Sequence, residues 1–442
     1  MTPTSATLES NFRAVLGADQ IRPATPADTV CGVQPQLALE PSTEQQLAEA
    51  LGLANESKLA VLPRGGGTKL GWGNPPSRAD VILSTARLNK VIEHAWADLT
   101  ATVEAGCTIK ALQETLAQHG QRLALDPLWP ERATIGGILS TNDSGALRLR
   151  FGALRDLIIG VTIALPDGTL ARSGGKVVKN VAGYDLPKLV TGALGTVGVI
   201  TRAVFRLHPL PHHTRSFTIS VSSPQEAQEL ILTIQDSKLA HVALQSHLCQ
   251  ETPPSIDILF EGTEAGLDAQ AARLRALCQS AKFAQSSPAV WNARQELWSH
   301  SDSQHAPVAQ VGPESRRTVS LAAFSFAIAK ISALPADLAH TVGLIRGTAD
   351  SSHLHWKSLM YATGLGWLAL EGPANNLHRA LSSLRSGLEQ RQGSLVLLHR
   401  PAGLPTFDAW GSPGDSLPLM KAVRSRLDPF HTLNPSRFLY GL

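Results

Sequence analysis

The sequence predicts a protein of the α+β class with more than one domain, on three observations. Its 442 residues exceed the length of an average single domain. In both halves, segments with helical spacing of apolar residues alternate with short apolar runs typical of strands. Between the halves, residues 208–214 follow neither pattern and contain two prolines, as a stiff linker would. We therefore expect a domain boundary near residue 210.

Composition and charge exclude several classes of protein. Charged residues make up 17% and apolar residues 43%, which is ordinary for a globular chain. The net charge of +3 is too small to argue for binding to nucleic acid or to a bilayer surface. The four cysteines form no C-x-x-C pair, so neither a disulfide framework nor a self-contained iron–sulfur site is expected. With no secretory signal at the N-terminus, we expect a cytoplasmic protein.

Helix caps and apolar runs predict the elements of the first half. Ser42 as N-cap, with Gln45 three residues later, predicts a helix that continues through Leu53. A second helix is predicted over 108–119, with Cys107 or Thr108 as its cap. Strands are predicted at 58–63, 81–84, 101–104, 157–170 (closed by an Asp-Gly hairpin turn) and 197–207. The first half is therefore expected to be α+β with a largely buried sheet.

The second half predicts a sheet with helices on one face. The strands are expected at 217–221, 242–247, 256–261, 318–326, 354–361, 366–370 and 394–399. The helices are expected at 224–236, 264–279 and 374–390. A polar stretch with glycine and proline, 299–314, predicts an exposed loop.

A run of three glycines in residues 62–71, Leu-Pro-Arg-Gly-Gly-Gly-Thr-Lys-Leu-Gly, is the sharpest local signal. Consecutive glycines directly after a strand leave backbone N–H groups unshielded, which favours a nest that binds an anion. Arg64, Thr68 and Lys69 add charge and a hydroxyl group suited to a pyrophosphate. The alternative is a glycine-rich hairpin with solvated basic residues.

Two further glycine clusters follow. Residues 130–145 pair glycines with small hydrogen-bonding side chains, namely Thr134, Ser140, Asn142 and Ser144, which would let a planar or phosphorylated ligand approach the backbone. The alternative there is a tight turn plus a helix cap. The third cluster, 192–198, precedes a strand, and its glycines favour close packing between elements.

Two other nucleotide-binding motifs fail on inspection. Gly175-Lys176 is followed by Val177, and Leu170 stands where a Walker A loop needs its first glycine, so no P-loop is present. Residues 364–369 match a relaxed Rossmann pattern, but they lie within predicted paired strands and open no helix. Kinase and GTPase chemistry are therefore not expected.

Taken together, the glycine segments resemble a known family. Pro63-Arg-Gly-Gly-Gly-Thr, Thr134-Ile-Gly-Gly, Leu165-Pro-Asp-Gly and Gly195-Thr-Val-Gly-Val-Ile-Thr have the order and spacing of the FAD-binding domain of the vanillyl-alcohol oxidase and p-cresol methylhydroxylase (PCMH-type) superfamily. This resemblance covers about residues 30–210. Within it, the segment from Lys176 to Gly195, with its Gly-Tyr-Asp-Leu-Pro-Lys-Leu core, is similar to FAD-binding subunits of bacterial-type glycolate oxidases.

The resemblance implies a fold and a domain organisation. It implies a two-subdomain PCMH-type FAD-binding domain in residues 1–210 and an α+β cap domain in residues 211–400. The antiparallel sheet of the cap would cover the isoalloxazine ring. Residues 401–442 would return to the FAD domain, because Asp428 to Arg437 resembles the Asp-Pro…Leu-Asn-Pro ending of such chains.

The resemblance also implies which residues hold FAD. The pyrophosphate would be held by Arg64, Gly65, Gly66, Gly67, Thr68 and Lys69. The pyrophosphate and flavin would be lined by Thr134, Gly136, Gly137, Asn142, Ser144 and Gly145. The adenine end would lie close to Gly198, Val199 and Ile200. Family members with covalent flavin often carry histidine where this chain has Thr68, so FAD is expected to bind non-covalently.

The function implied by the resemblance is that of the FAD-binding subunit of a glycolate oxidase or dehydrogenase complex. Such a subunit supports oxidation of glycolate to glyoxylate, with electrons passed through flavin to an iron–sulfur subunit beside a related FAD subunit. Membrane association would be peripheral, at the inner face, through those partners. Two alternatives stay open: a non-catalytic assembly or electron-relay subunit, and a stand-alone FAD oxidoreductase for another 2-hydroxy acid.

The sequence identifies no catalytic residue and predicts no metal site. Related dehydrogenases carry a His-x-Gly-Asp-Gly-type segment that supplies a metal and a base, and this chain has none. His353 and His355 would share one strand face, which suits metal ligation or a base, although exposed or core histidines are the simpler interpretation. Arg346, Lys357 and Arg400 are candidate clamps for a carboxylate, with solvated charges as the alternative.

Overall fold

The computed structural model describes residues 5–176, 183–278, 282–299 and 325–442. The chain divides into two compact units, Met1–Leu210 with Ser412–Leu442, and Pro211–Gly411. Three predicted features lie wholly or partly outside the described residues: positions 177–182 of the glycolate-oxidase-like segment, positions 300–314 of the predicted loop, and positions 318–324 of one predicted strand.

The α-helices are α1 Ser5–Leu16, α2 Glu44–Glu56, α3 Ile109–Ala117, α4 Ile135–Thr141, α5 Arg148–Phe151, α6 Leu154–Leu157, α7 Leu186–Val190, α8 Pro224–Asp236, α9 Glu264–Cys278, α10 Ala293–Glu296, α11 Leu338–Ser351, α12 Ala374–Glu389 and α13 Leu417–Leu427. The strands are β1 Ile21–Pro23, β2 Leu37–Leu39, β3 Val61–Arg64, β4 Val81–Ser84, β5 Val91–Ala95, β6 Thr100–Glu104, β7 Gln121–Arg122, β8 Ile158–Ala164, β9 Leu170–Gly174, β10 Val199–Arg206, β11 His208–Pro209, β12 His213–Ser220, β13 His241–Cys249, β14 Ser255–Gly262, β15 Lys282–Gln285, β16 Ser325–Ser332, β17 His355–Tyr361, β18 Leu365–Gly372 and β19 Ser394–His399.

The first unit contains two principal sheets. A four-stranded sheet has the order β1-β2-β4-β3, with β2, β4 and β3 parallel and β1 antiparallel. Leu47 and Leu51 of α2 pack with Val61 and Leu83 in its core. A five-stranded antiparallel sheet has the order β5-β6-β10-β8-β9, and α3 and α4 pack in its core. The first glycine loop begins at the end of β3.

The second unit is built on one eight-stranded antiparallel sheet, with the order β15-β12-β14-β13-β17-β18-β16-β19. Alternate residues of β14, Ile256, Ile258 and Phe260, are fully buried. Helix α12 buries the leucines that its sequence places at helical spacing, among them Leu377 and Leu381. The predicted α+β class with antiparallel sheets is confirmed.

Several local predictions hold, and others are wrong. Thr108 caps α3 as predicted, because its Oγ1 accepts from Ala111 N at 3.2 Å. The cap of α2 is Thr43 rather than Ser42, because Thr43 Oγ1 accepts from Gln46 N at 3.1 Å. The predicted linker 208–214 is partly strand, since β11 pairs with β7 and β12 begins at His213.

Two predictions for the second half also need correction. Helix α11 was not expected, although its apolar residues have helical spacing, because Gly343 and Gly347 lie inside it and glycine disfavours helix interiors. Of the strand expected at 318–326, the described residues 325 and 326 belong to β16, Ser325–Ser332, which continues past the expected end. Among the described residues, none of the helices has the length and apolar character that a membrane crossing needs.

The C-terminal tail runs beside β3. Val61 N donates to Thr432 O at 2.8 Å, and Asn434 N donates to Val61 O at 3.0 Å. The fully buried carboxylate of Asp428 holds this turn, because it accepts from Thr432 N at 3.0 Å and from Leu433 N at 2.8 Å. The tail therefore lies next to the start of the first glycine loop.

Candidate functional site

A cleft opens in the first unit where β3 passes into the first glycine loop. It has a cavity volume of about 80 Å³ and opens to solvent. Its walls come from segments that are distant in the sequence: residues 63–70, Thr85, residues 134–141, residues 194–200 and the tail residues Asn434 and Arg437. The fold therefore brings all three glycine clusters to one place.

Most of the predicted FAD-binding residues meet at this cleft. The lining includes Arg64, Gly65, Gly66, Gly67, Thr68, Lys69, Thr134, Gly136, Gly137, Gly198, Val199 and Ile200. Asn142, Ser144 and Gly145 do not belong to the lining. Asn142 is the left-handed C-cap of α4. Gly145 packs against Asp126, whose carboxylate accepts from Gly145 N at 3.1 Å.

Close packing of the first two glycine loops explains why Gly65 and Gly66 are glycines. A Cβ atom on Gly66 would lie 1.7 Å from the carbonyl oxygen of Arg132. A Cβ atom on Gly65 would lie 2.1 Å from Thr134 Oγ1. Gly66 N donates to that same hydroxyl oxygen at 3.4 Å. These glycines are therefore needed for contact between the loops, besides any exposure of N–H groups to a ligand.

Arg64 lines the cleft, and the buried carboxylate of Asp28 orients its side chain. Its Nη1 lies 2.6 Å from Asp28 Oδ1. Arg22 binds the other oxygen of Asp28 at 2.7 Å, and Thr25 N donates to it at 2.7 Å. The Arg22 guanidinium, assisted by the bonds from Thr25 and Arg64, holds the pKa of the Asp28 carboxyl well below its usual range. Asp28 is therefore a permanent anion that orients Arg64.

Lys69 joins the first glycine loop to the second. Only 4% of its side chain is exposed, and its Nζ lies 3.2 Å from Asp143 Oδ2. The ammonium also donates to Leu128 O at 3.3 Å and lies 5.3 Å from the centre of the Trp129 ring. Leu128 N in turn donates to Asp143 Oδ2 at 2.9 Å. The alternative of a solvated lysine is therefore wrong at this position, and the buried ion pair was not predicted.

Two tail residues of the cleft, Asn434 and Arg437, were missed by sequence reasoning. Arg437 is 3% exposed, and its Nη2 donates to Trp72 O at 2.7 Å and to Leu70 O. Asn434 Nδ2 donates to Leu194 O, which ties the tail to the third glycine cluster. The Leu-Asn-Pro ending indicated that this segment returns, but nothing near it in the sequence indicated which side chains reach the cleft.

Asn434 also leaves an unmatched acceptor at the cleft. Its Oδ1 is buried and has no hydrogen-bond partner among the described residues. Buried polar atoms nearly always have a partner, so such an atom beside a cleft points to a ligand that donates there. Hydroxyl and amino groups of a dinucleotide are donors of that kind, whereas its phosphate oxygens are not.

In the second unit, the histidines singled out from the sequence do not share a strand face. His353 lies in a turn with φ of 52°, and β17 begins only at His355. Within the described part of the chain, no group of three or more His, Cys, Asp or Glu side chains is placed to hold a metal ion. His355 and Lys357 line a small pocket, and Arg400 Nη2 donates to Phe407 O at 2.6 Å.

The same unit contains an imidazole–carboxylate pair that the sequence did not indicate. His247 Nε2 lies 2.5 Å from Asp257 Oδ2, across the neighbouring strands β13 and β14. Thr218 Oγ1 donates to the other oxygen of Asp257 at 2.6 Å. Burial opposes ionisation of Asp257, but the bonds from His247, Thr218 and Gln245 together hold its pKa below the ordinary value. Sequence reasoning predicted both strands but not the register that aligns the pair.

Comparison with known proteins bears directly on the cleft. Residues 35–174 match the family model described as FAD binding domain. This part of the chain is therefore similar to FAD-binding domains. The matched range contains β3 and the first two glycine loops, whose contact forms the cleft.

Curated relatives carry the names of 2-hydroxy acid enzymes. Glycolate oxidase subunit GlcD of Bacillus subtilis (strain 168) is 30% identical over 211 residues, which is 48% of this chain and 45% of the relative. D-lactate dehydrogenase of Archaeoglobus fulgidus is 32% identical over 209 residues, 47% of this chain and 46% of the relative. The chain thus matches about half the length of these relatives. D-2-hydroxyglutarate dehydrogenase of Xanthomonas citri pv. viticola is 25% identical over 423 residues, 90% of this chain and 88% of the relative.

Solved structures share the fold over nearly the whole chain. An alkyldihydroxyacetonephosphate synthase has a TM-score of 0.75 at 16% identity and covers 99% of this chain and 86% of its own. p-Cresol methylhydroxylase with substrate bound has a TM-score of 0.72 at 15% identity and covers 98% of this chain and 96% of its own. At such identities the likeness shows fold alone. The fold expected from the resemblance to PCMH-type flavoproteins is confirmed.

The contact between the glycine loops can be tested with Gly66→Ala. The added methyl group would meet the Arg132 carbonyl oxygen at 1.7 Å, so one loop must move. We expect a loss of about 1–3 kcal/mol in the free energy of unfolding, as for other overpacked sites, and loss of FAD on purification. Thermal unfolding and the ratio of FAD to protein measure the two effects.

Gly71→Ala is the matched control. A Cβ atom on Gly71 would have no atom within 4 Å, and its backbone conformation suits any residue. Stability and FAD content should stay at wild-type values. If the Gly66 variant retained both as well, the loops would not be as closely packed as described.

The Asp28 anchor predicts a dependence on pH. Asp28→Asn should lower the free energy of unfolding at pH 7 by about 1–3 kcal/mol, as for loss of charged hydrogen bonds, and should weaken FAD binding through Arg64. Because the folded pKa of Asp28 is lowered, its contribution is full above the unfolded pKa of about 3.9 and declines as pH falls below it.

Denaturant titrations between pH 7 and pH 3 measure this difference between wild type and Asp28→Asn. Asp19→Asn is the control, because its ion pair with Arg87 is at 3.2 Å and Asp19 is 74% exposed. If the difference in free energy of unfolding between wild type and Asp28→Asn grew as pH fell, Asp28 would not stabilise the fold as a carboxylate.

Proposed function

We propose that this protein is an FAD-dependent oxidoreductase acting on the CH–OH group of a 2-hydroxy acid. The observation that carries the proposal is that the range matched as FAD binding domain, 35–174, supplies the first two of the three glycine clusters that line the cleft. The relatives named for glycolate, D-lactate and D-2-hydroxyglutarate support the substrate class. We propose glycolate, oxidised to glyoxylate, as the first substrate to test.

The residues of the cleft suit the chemistry of FAD. The backbone of Gly65 to Thr68, with the guanidinium of Arg64, would face the pyrophosphate. Asn434 Oδ1 would accept from a hydroxyl or amino group of the cofactor. FAD, when bound, takes two electrons from the substrate and passes them on. We propose that the acceptor is an iron–sulfur subunit in a complex that also holds a related FAD subunit, at the inner face of a membrane.

We propose that the flavin is held without a covalent bond. Thr68 stands where covalent relatives often carry histidine, and the cleft lining drawn from the described residues includes no His, Cys or Tyr. Acid precipitation of the purified protein should therefore release all of its flavin into the supernatant, as measured by fluorescence. Flavin that remained with the pellet would contradict non-covalent binding.

Two alternatives remain as outcomes of the test: an assembly or electron-relay subunit without its own turnover, and a stand-alone oxidoreductase for a different 2-hydroxy acid.

The test is anaerobic reduction of the protein-bound flavin by glycolate, D-lactate and D-2-hydroxyglutarate, each followed by visible absorbance. We expect bleaching with at least one of them.

Each outcome separates the alternatives. Bleaching only after the partner subunits are added would favour the assembly or relay role. Flavin that stays oxidised with every acid, with or without partners, would contradict the proposed activity.

A further inference from the structure

The first unit contains a second cavity, separate from the cleft, with a volume of about 250 Å³. It lies between α13, residues 188–197 and the side chains of Phe438 and Leu442. An engineered apolar cavity of about 150 Å³ in another protein binds benzene. This cavity is therefore large enough for a small organic molecule.

The walls of this cavity are mainly apolar. Leu189, Val197, Met420, Val423 and Phe438 supply most of them. The hydroxyl groups of Thr191 and Thr196 are already used, because they donate to Pro187 O and Ala193 O at 2.7 Å each. Water would find few free hydrogen-bonding groups in this cavity, so its walls favour a ligand with a hydrocarbon part.

The charged side chains of the lining are all cations: Arg155, Lys188 and Arg424. Arg155 is exposed, and its Nη2 donates to Thr191 O at 2.9 Å. Lys188 is 60% exposed and pairs with Asp185 at 2.5 Å, so this edge keeps one net positive charge.

Arg424 is buried beside the same cavity, and the nearby carboxylate of Asp428 offsets part of its charge. It is 1% exposed, and its Nη2 donates to Leu433 O at 3.0 Å. Its Nε and Nη1 have no hydrogen-bond partner within the described ranges. The polar side chains that line the cavity are therefore cations or hydroxyl groups that already donate to backbone carbonyl oxygens. Such a lining favours an anionic ligand over a cationic one.

We propose that this cavity binds a small apolar monocarboxylate. Its hydrocarbon part would pack against the walls, and its carboxylate would pair with Arg155 and Lys188 at the edge. An inorganic anion would leave the apolar walls unfilled, and an apolar amine would meet like charges. The proposal does not depend on the function proposed for the cleft.

The cavity and the cleft share a wall. Gly192, Ala193, Thr196 and Val197 face the cavity, whereas Leu194, Gly195 and Gly198 line the cleft. A monocarboxylate in the cavity would therefore contact one face of residues 192–198, whose other face lines the cleft.

Calorimetric titration of the whole protein with octanoate tests the proposal, with octanol and octylamine as comparison ligands. We expect one octanoate per chain and at least tenfold weaker binding of each comparison ligand. Leu419→Glu should weaken octanoate at least tenfold, because it places a carboxylate at the edge of the cavity. Leu419 is 68% exposed, so this variant should fold.

Ala422→Glu is the matched control, since it adds the same charge to an exposed position of α13 that does not line the cavity. Its octanoate affinity should equal that of wild type. Val423→Trp, which fills the cavity, should abolish binding. Absence of octanoate binding, equal binding of octanol or octylamine, or equal effects of the two glutamate variants would overturn the proposal.

Discussion

The contact between the first two glycine loops is the constraint on which the cleft depends. At Gly66 the Arg132 carbonyl oxygen leaves room for a hydrogen atom but not for a methyl group. A few residues further on, the buried pair Lys69–Asp143 joins the same two loops. Backbone contact and ion pair together fix the cleft before any ligand arrives, so binding costs little ordering of the protein.

Carboxylates buried behind the cleft place the cations that face it. Asp28 holds Arg64 at 2.6 Å, and Asp143 holds Lys69 at 3.2 Å. The tail also supports the cleft, because Arg437 binds carbonyl groups of residues 70 and 72 and Asn434 binds Leu194 O. Buried polar groups that are distant in the sequence therefore hold the glycine loops. Of these groups, Asn434 keeps one oxygen, Oδ1, without a partner among the described residues.

Local chemistry explains which parts could be predicted from the sequence. Short-range rules predict that Gly65 and Gly66 follow a strand and that Thr108 caps a helix, and the structure confirms both predictions. Arg437 binds Trp72 O across 365 positions, and no short-range rule reaches that far. His247 and Asp257 meet only through the register of β13 and β14. Helix α11 escaped prediction because its two glycines outweighed its apolar spacing, whereas in the structure burial of Val342 and Ile345 stabilises it.

The cleft between the glycine loops is the proposed binding site of FAD. Hydrogen–deuterium exchange of the apoprotein, with and without FAD, tests this placement most directly, because it locates the ligand without relying on turnover. We expect protection in residues 64–69, 134–141 and 194–200 and around Asn434, with little change in the second unit's sheet core. Binding of FAD with no protection in these segments would contradict this placement.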